Sequence, residues 1–345
     1  MLSRTLIALI VLLIVAGCAM PPATPTGEDM TTADAAADVA PTALRIVSTV
    51  SPITNIIYNI AGDRAEIVGI VPEGVNSHTY EPAPSDARRL ADADLIFING
   101  LKLEEPTLKL AEANAKRGAE IVLLGDQTIS PEAYVYDFSF PLEAGSPNPH
   151  LWPNPFYALR YAEIVRNRLS ERDPANADFY AANYARFDER IQALDEAIKA
   201  TVASIPEQNR KLLTYHDSWA YFAPLYGMTV IGAIQPSDFA EPSAREIVEI
   251  IEQLRAEQAP AIFGSEVFPS PILEQIARET GATYVDDLRD DDLPGQPGDD
   301  THSYFGLMAE NLRIMAEALG GDPALIANFD TRNVTGVDSN VEQSQ

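Results

Sequence analysis

The stretch AEIVGIVPEGVNSHTYEPAPSDARRLADADLIFING (Ala65–Gly100) reads as strand, loop, helix and strand. AEIVGIV (65–71) and DLIFING (94–100) are apolar runs of strand length, rich in Ile and Val. Between them, SDARRLADA (85–93) has helical length, with Ser85 placed to cap its start. Two strands joined by a helix-sized segment imply a parallel βαβ unit. The loop leaving the first strand carries His78, and histidine is scarce here: 345 residues contain four, at 78, 150, 216 and 302.

The same alternation extends in both directions. LRIVSTV (44–50) and AEIVLLGD (119–126) are further strands, with helical patterns in SPITNIIYNIAGD and EEPTLKLAEANAKRG. Residues 127–155 hold no clear period and read as a long functional loop containing His150. In the second half, KLLTY (211–215), MTVIGAI (228–234), PAIFGSE (260–266) and GATYVDD (281–287) are expected strands. Helices are expected at 217–226, 242–257 and 270–280, and a last one ends at Gly320-Gly321. Between the halves, Tyr180, Tyr184, Phe187, Ile191, Leu194, Ile198 and Val202 form a stripe at steps of three and four. A helix of about 27 residues would run roughly 40 Å, long enough for a strut between domains.

The expected class is therefore α/β: two domains with parallel sheets flanked by helices, bridged by one long rigid helix. The expected boundaries are 44–172 and 206–330 for the domains and 173–205 for the helix, with a disordered tail at 331–345.

The amino-terminal residues speak to compartment. Arg4 precedes a thirteen-residue apolar run from Thr5 to Gly17, too short for a bilayer span and suited to a signal peptide (1–17). Val15-Ala16-Gly17-Cys18 resembles a bacterial lipobox, which makes Cys18 the expected lipidation site. Cys18 is the only cysteine, so no disulfide framework is available. Residues 18–43 are rich in Pro, Ala, Thr and Asp and read as a flexible tether. An excess of 51 acidic over 24 basic side chains argues against nucleic acid, whose binding depends on neutralising phosphates.

Three histidines have matching addresses. His78 follows a strand, His150 lies in the loop leaving the first domain, and His216 ends the first strand of the second. Ligands in open parallel sheets bind outside the carboxyl ends of strands, so two such sheets face to face would gather these loops around one cleft. Imidazole is the commonest metal ligand near neutral pH.

At this point the sequence resembles the zinc/manganese solute-binding lipoproteins of ABC uptake transporters (cluster A-I receptors) over roughly residues 44–328. The resemblance rests on EGVNSHTYEPAPSDARRLADADLIFINGLKLE, NPHLWPNP, TYHDSWAYFAPLYGM and LRDDDLPGQPGDDTHSYFGLMAENLRIMAEAL. It implies metal ligation by His78, His150 and His216 in the interdomain cleft. The fourth ligand, a carboxylate in the loop before the final helix, falls in register on Asp291, with His302 as the alternative suggested by composition. Asp290, Asp292, Asp299 and Asp300 are lesser substitutes. Three imidazoles and one carboxylate suit Zn²⁺, with Mn²⁺ or Fe²⁺ as alternatives. The His-rich loop of many zinc receptors of the family is absent from 127–149.

Asp217 and Glu266 are candidates to orient a ligand imidazole, and Tyr80 and Trp152 to shield it. The implied function is extracytoplasmic capture of a metal ion for an ABC permease, by a lipid-anchored monomer with no enzymatic step. The competing reading, a secreted zinc hydrolase, lacks an HExxH motif; GxSxG and GxxxxGK[ST] are absent too.

Overall fold

The computed structural model describes residues 43–235, 242–265, 267, 271–335 and 342–343. The signal segment, Cys18 and Glu266 lie outside the described residues, as does the tether up to residue 42. From Ala43 onward the chain is one compact unit containing two parallel sheets. No helix among the described residues is long and apolar enough to cross a membrane.

The first sheet contains β1 (Leu44–Ser48), β2 (Ala65–Gly69), β3 (Leu95–Ile98) and β4 (Glu120–Leu123), ordered β4-β3-β1-β2. A two-residue strand, β9 (Glu342–Gln343), lies beside β2. The crossovers are α1 (Ser51–Ala61), α2 (Pro84–Asp92) and α3 (Glu105–Asn114). The second sheet contains β5 (Lys211–Thr214), β6 (Thr229–Ala233), β7 (Ala261–Phe263) and β8 (Thr283–Val285), ordered β6-β5-β7-β8. Its helices are α6 (Ala244–Glu257), α7 (Pro271–Thr280) and α8 (Tyr304–Leu319). All strand pairs among the described residues are parallel, so the loops leaving the strands collect at one end of each sheet.

Two helices join the sheets: α4 (Pro155–Arg172) and the 28-residue α5 (Ala177–Ser204). The stripe expected on α5 is buried except at Tyr184, which is half-buried under the Arg166 guanidinium, 4.6 Å from its ring centre. Two buried polar groups tie α5 to both halves. Asn183 Nδ2 donates to the Ile60 carbonyl near the end of α1 (2.8 Å), and Asp195 Oδ1 accepts from Tyr226 Oη beyond β5 (3.0 Å). Burying such groups is tolerable because each has a partner.

Three expectations need correction. Residues 217–226 form no α-helix; only Ala223–Tyr226 makes a short 3₁₀ turn, closed by Gly227 in the left-handed region at φ 69°. Asp217, Trp219 and Phe222 all turn inward there, a demand that one helical face cannot meet. The start of α2 is set by Pro84 and by Asp86, whose carboxylate accepts from Ala83 N (2.7 Å), so Ser85 sits inside the helix rather than capping it. The tail differs from a disordered segment at its beginning. Asn59 Nδ2 donates to Asn333 Oδ1 (2.8 Å) and Val334 N donates to Asn59 Oδ1 (2.8 Å).

Phe187 is fully buried on α5, with ring centres 5.0 Å from Phe305 and 6.0 Å from Tyr304 of α8. Phe187→Ala should destabilise the protein by about 3–5 kcal/mol. Glu189→Ala on the exposed face should stay within about 0.5 kcal/mol. Urea unfolding of the two variants checks the contrast; equal effects would mean that α5 is not held by this stripe.

Candidate metal centre

Loops leaving three elements deliver three imidazoles to one place. His78 lies in the loop after β2, where Asn76 Oδ1 accepts its backbone N–H (2.9 Å). His150 lies just before α4, and Asn154 caps that helix by accepting from Phe156 N (3.0 Å). His216 lies two residues past β5, after Tyr215 N has bonded to the Phe263 carbonyl (2.7 Å). His150 Nε2 stands 3.1 Å from His78 Nε2 and 3.2 Å from His216 Nε2. One ring nitrogen from each of the three falls within 4.8 Å of the others. Ligands about 2.1 Å from one tetrahedral ion stand roughly 3.4 Å apart, so these separations fit a shared ion.

The acidic loop before α8 comes alongside. Asp290 Oδ2 is 3.7 Å from His150 Nε2, and its carbonyl accepts from Trp152 Nε1 (2.8 Å). Asp291 Oδ2 accepts from Ser77 N (3.1 Å), and Asp292 Oδ2 accepts from Gly74 N (2.8 Å). The loop is thereby stitched to the segment carrying His78. Asn311 of α8 grips its start, accepting from Arg289 N (2.9 Å) and donating to the Arg289 carbonyl (2.7 Å). His302 is buried apart from the imidazole cluster. Its Nδ1 lies 3.2 Å from the Pro294 carbonyl and its Nε2 3.6 Å from Glu73 Oε1.

Asn148 is the polar hub, and it was not singled out from the sequence. It is fully buried. Its Oδ1 accepts from both His150 N and His150 Nδ1 (2.9 Å each). Its Nδ2 donates to Asp137 Oδ2 (2.7 Å) and to the Asp217 carbonyl (2.6 Å). An oxygen that accepts the backbone N–H fixes Nδ1 as the protonated ring nitrogen and leaves the Nε2 lone pair facing the cluster. A usable signal was present: Asn two residues before His150 suits a side-chain turn onto the i+2 amide. Asp217 does not orient an imidazole through its carboxylate; its backbone carbonyl holds Asn148 instead. Trp152 packs edge-on to His150, ring centres 5.1 Å apart, as a shield would. Tyr80 donates from its hydroxyl to Asp86 of α2 (2.9 Å).

Beneath His150, the turn after β3 supports the loop. Asn99 Nδ2 donates to the Pro149 carbonyl (3.0 Å), and Tyr161 Oη donates to Asn99 Oδ1 (2.6 Å). Leu101 and Lys102 occupy left-handed backbone (φ 52° and 66°), held by Glu104, which accepts from Asn99 N and Gly100 N. Non-glycine residues persist there only when their surroundings over-determine them.

Burial lowers the pKa of all three imidazoles. His216 is pushed down to about 4. His150 and His78 are held well below the usual value, first by desolvation and then by neighbouring imidazole charge. The cluster is neutral at physiological pH, the state a metal requires.

Two parallel-sheet lobes with imidazoles and carboxylates gathered between them define the class of metal-binding receptors that serve ABC transporters, a class that carries cargo and catalyses nothing. Residues 46–318 match the family described as zinc-uptake complex component A, periplasmic (ZnuA), and the chain belongs to that family. It is similar to the manganese ABC transporter substrate-binding lipoprotein PsaA of Streptococcus pneumoniae, 29% identical over 80% of this chain and 89% of that protein. It is also similar to the iron-binding protein YfeA of Yersinia pestis, 30% identical over 80% of this chain and 86% of that protein. Among solved structures, the periplasmic zinc-binding protein TroA of Treponema pallidum gives a TM-score of 0.73 at 25% identity, covering 81% of this chain and 99% of that one.

An unfolded imidazole titrates near 6.5. Between that value and about 4, the unfolded chain binds a proton at His216 that the folded chain refuses, so this group lowers stability as pH falls. Glu104, pushed up to about 7 by burial, acts with opposite sign over much of the same window. The histidine contribution is therefore the difference between wild type and His216→Gln. The metal-free Gln variant should gain stability relative to wild type as pH drops from about 6.5 to about 4. A pH-independent difference in denaturant midpoints would contradict a neutral, desolvated His216.

Proposed function

We propose that this protein captures one divalent metal ion outside the cytoplasmic membrane, zinc by preference, and delivers it to the permease of an ABC uptake transporter. The observation that carries this reading is the convergence of three imidazoles, with Nε2 contacts of 3.1 and 3.2 Å, beside a carboxylate loop. His78, His150 and His216 supply nitrogen, and one carboxylate from the acidic loop completes the shell. Register within the family favours Asp291 for that place, while proximity to His150 favours Asp290. His302 is occupied with Glu73 and Pro294 and is not assigned a ligand role.

Nitrogen-rich, four-ligand sites suit Zn²⁺, and hard oxygen donors suit Mn²⁺ better. The alternative is manganese or iron, supported by the names of PsaA and YfeA. Cys18 would anchor the chain by lipid, with residues 19–43 as tether, leaving the monomeric receptor free to meet its permease.

Metal analysis of the soluble protein, with Zn²⁺ and Mn²⁺ in competition, should give one tightly held ion per chain and a preference for zinc. No tight 1:1 metal would sink the receptor reading, and tighter Mn²⁺ would reverse the assignment of the ion. His150→Ala should weaken binding by more than the roughly 10–100-fold typical of losing an outer partner. Single Ala substitutions of Asp290, Asp291 and His302 assign the fourth ligand: one of the two aspartates should match His150→Ala in effect. A collapse seen only with His302→Ala would overturn the carboxylate assignment.

A further inference from the structure

One side of the imidazole cluster is covered by a residue that neither the metal chemistry nor the family register assigns. The Phe140 ring centre lies 5.5 Å from His78, 5.7 Å from His150 and 5.6 Å from His216, while the imidazoles stand 4.7–5.0 Å from one another. Four rings thus form a nearly regular tetrahedron, with Phe140 at the apex over the imidazole triangle. Phe140 is thus about equally close to all three rings that would hold an ion, and covers one side of them.

The segment carrying Phe140 is built as a closed turn. Asp137 N donates to the Phe140 carbonyl (3.0 Å), and Asp137 Oδ1 accepts from Ser139 N (3.1 Å) and Phe140 N (3.0 Å). The turn is fastened to the metal loops on both sides. Asn148, which orients His150, donates to Asp137 Oδ2, and Asp217, next to His216, donates from its backbone N–H to Ser139 Oγ (3.3 Å). Its outer residues face solvent: Phe138 is 53% exposed and Leu142 64%, against 7% for Phe140. The Phe140 ring is thus directed inward onto the three imidazoles while its apolar neighbours Phe138 and Leu142 stay outside.

We propose that Phe140 is a shutter on the metal site: it closes one approach to the bound ion, keeps water from becoming an additional ligand, and retards release. The proposal rests on the metal-receptor reading. A ring that cannot donate an electron pair to the ion leaves it with the protein's own ligands on that side. Four-coordinate Zn²⁺ tolerates this, whereas Mn²⁺ and Mg²⁺, which favour six ligands, lose a water position. Phe140 is in this sense a specificity-determining residue that touches no ligand electron pair.

Co²⁺ is the probe, because its visible absorption is intense when four-coordinate and weak when water raises the coordination number. Wild type, Phe140→Ala and Phe140→Leu are loaded with Co²⁺, their spectra recorded, and release into excess EDTA followed by stopped flow. The Ala variant should show a weakened visible band and release accelerated by roughly 10–100-fold. The Leu variant, which keeps an apolar cover, should stay near wild type, and thermal melts of the metal-free proteins separate misfolding from opening. An Ala variant with unchanged band and unchanged release overturns the shutter while leaving the receptor reading intact. Failure of wild type to take up one Co²⁺ overturns both.

Discussion

Three imidazoles can share one desolvated spot only while they are uncharged, and the rest of the architecture serves that constraint. Asn148 fixes the proton of His150 on Nδ1, so its Nε2 carries a lone pair that meets the Nε2 atoms of His78 and His216 at close range. One lone pair cannot accept well from two neighbours and also stay desolvated. A cation at the centre would turn three competing nitrogens into three ligands, which favours cargo over packing as the reason for the cluster.

Bringing the nitrogens together depends on parallel topology. Loops after β2 and β5, together with the loop entering α4, carry the histidines, and the loop after β8 brings the carboxylates. The two sheets are held by α5, which buries one polar anchor toward each. The start of α8 adds a further tie near the site: Tyr304 N donates to Asn55 Oδ1 of α1 (2.9 Å), and Tyr304 Oη donates to the Trp152 carbonyl (2.9 Å). Glycine is required at position 306 because a Cβ there would lie 1.9 Å from the Thr301 carbonyl oxygen. That close approach sets the path of the chain between the acidic loop and α8.

Much of this was readable from residue order. Apolar runs located eight of the nine described strands, all but the two-residue β9, since strand burial leaves a direct trace in composition. The addresses of His78 and His216 followed from strand ends, and that of His150 from the long loop leaving the first domain. Other features were not legible for physical reasons. The segment 217–226 has helical composition, but inward-facing Asp217, Trp219 and Phe222 require irregular backbone, and that demand comes from tertiary packing. Within Asp290-Asp291-Asp292, three identical side chains differ only in where the loop points them, which no spacing rule encodes. Phe140 sits in a loop without period, and its approach to the histidines depends on a turn closed by Asp137. The beginning of the carboxy-terminal tail looked unstructured because its anchors, Asn333 and the Val334 amide, bond to one buried asparagine on α1.

The central claim is that one ion sits where the three Nε2 atoms converge. A crystal structure of the metal-loaded protein, with anomalous data collected on both sides of the zinc edge, tests it most directly. One strong zinc peak within bonding distance of Nε2 of His78, His150 and His216, together with one carboxylate of the acidic loop, is the expected result. A peak elsewhere, or imidazoles that stay in mutual contact with no ion between them under saturating zinc, would contradict it.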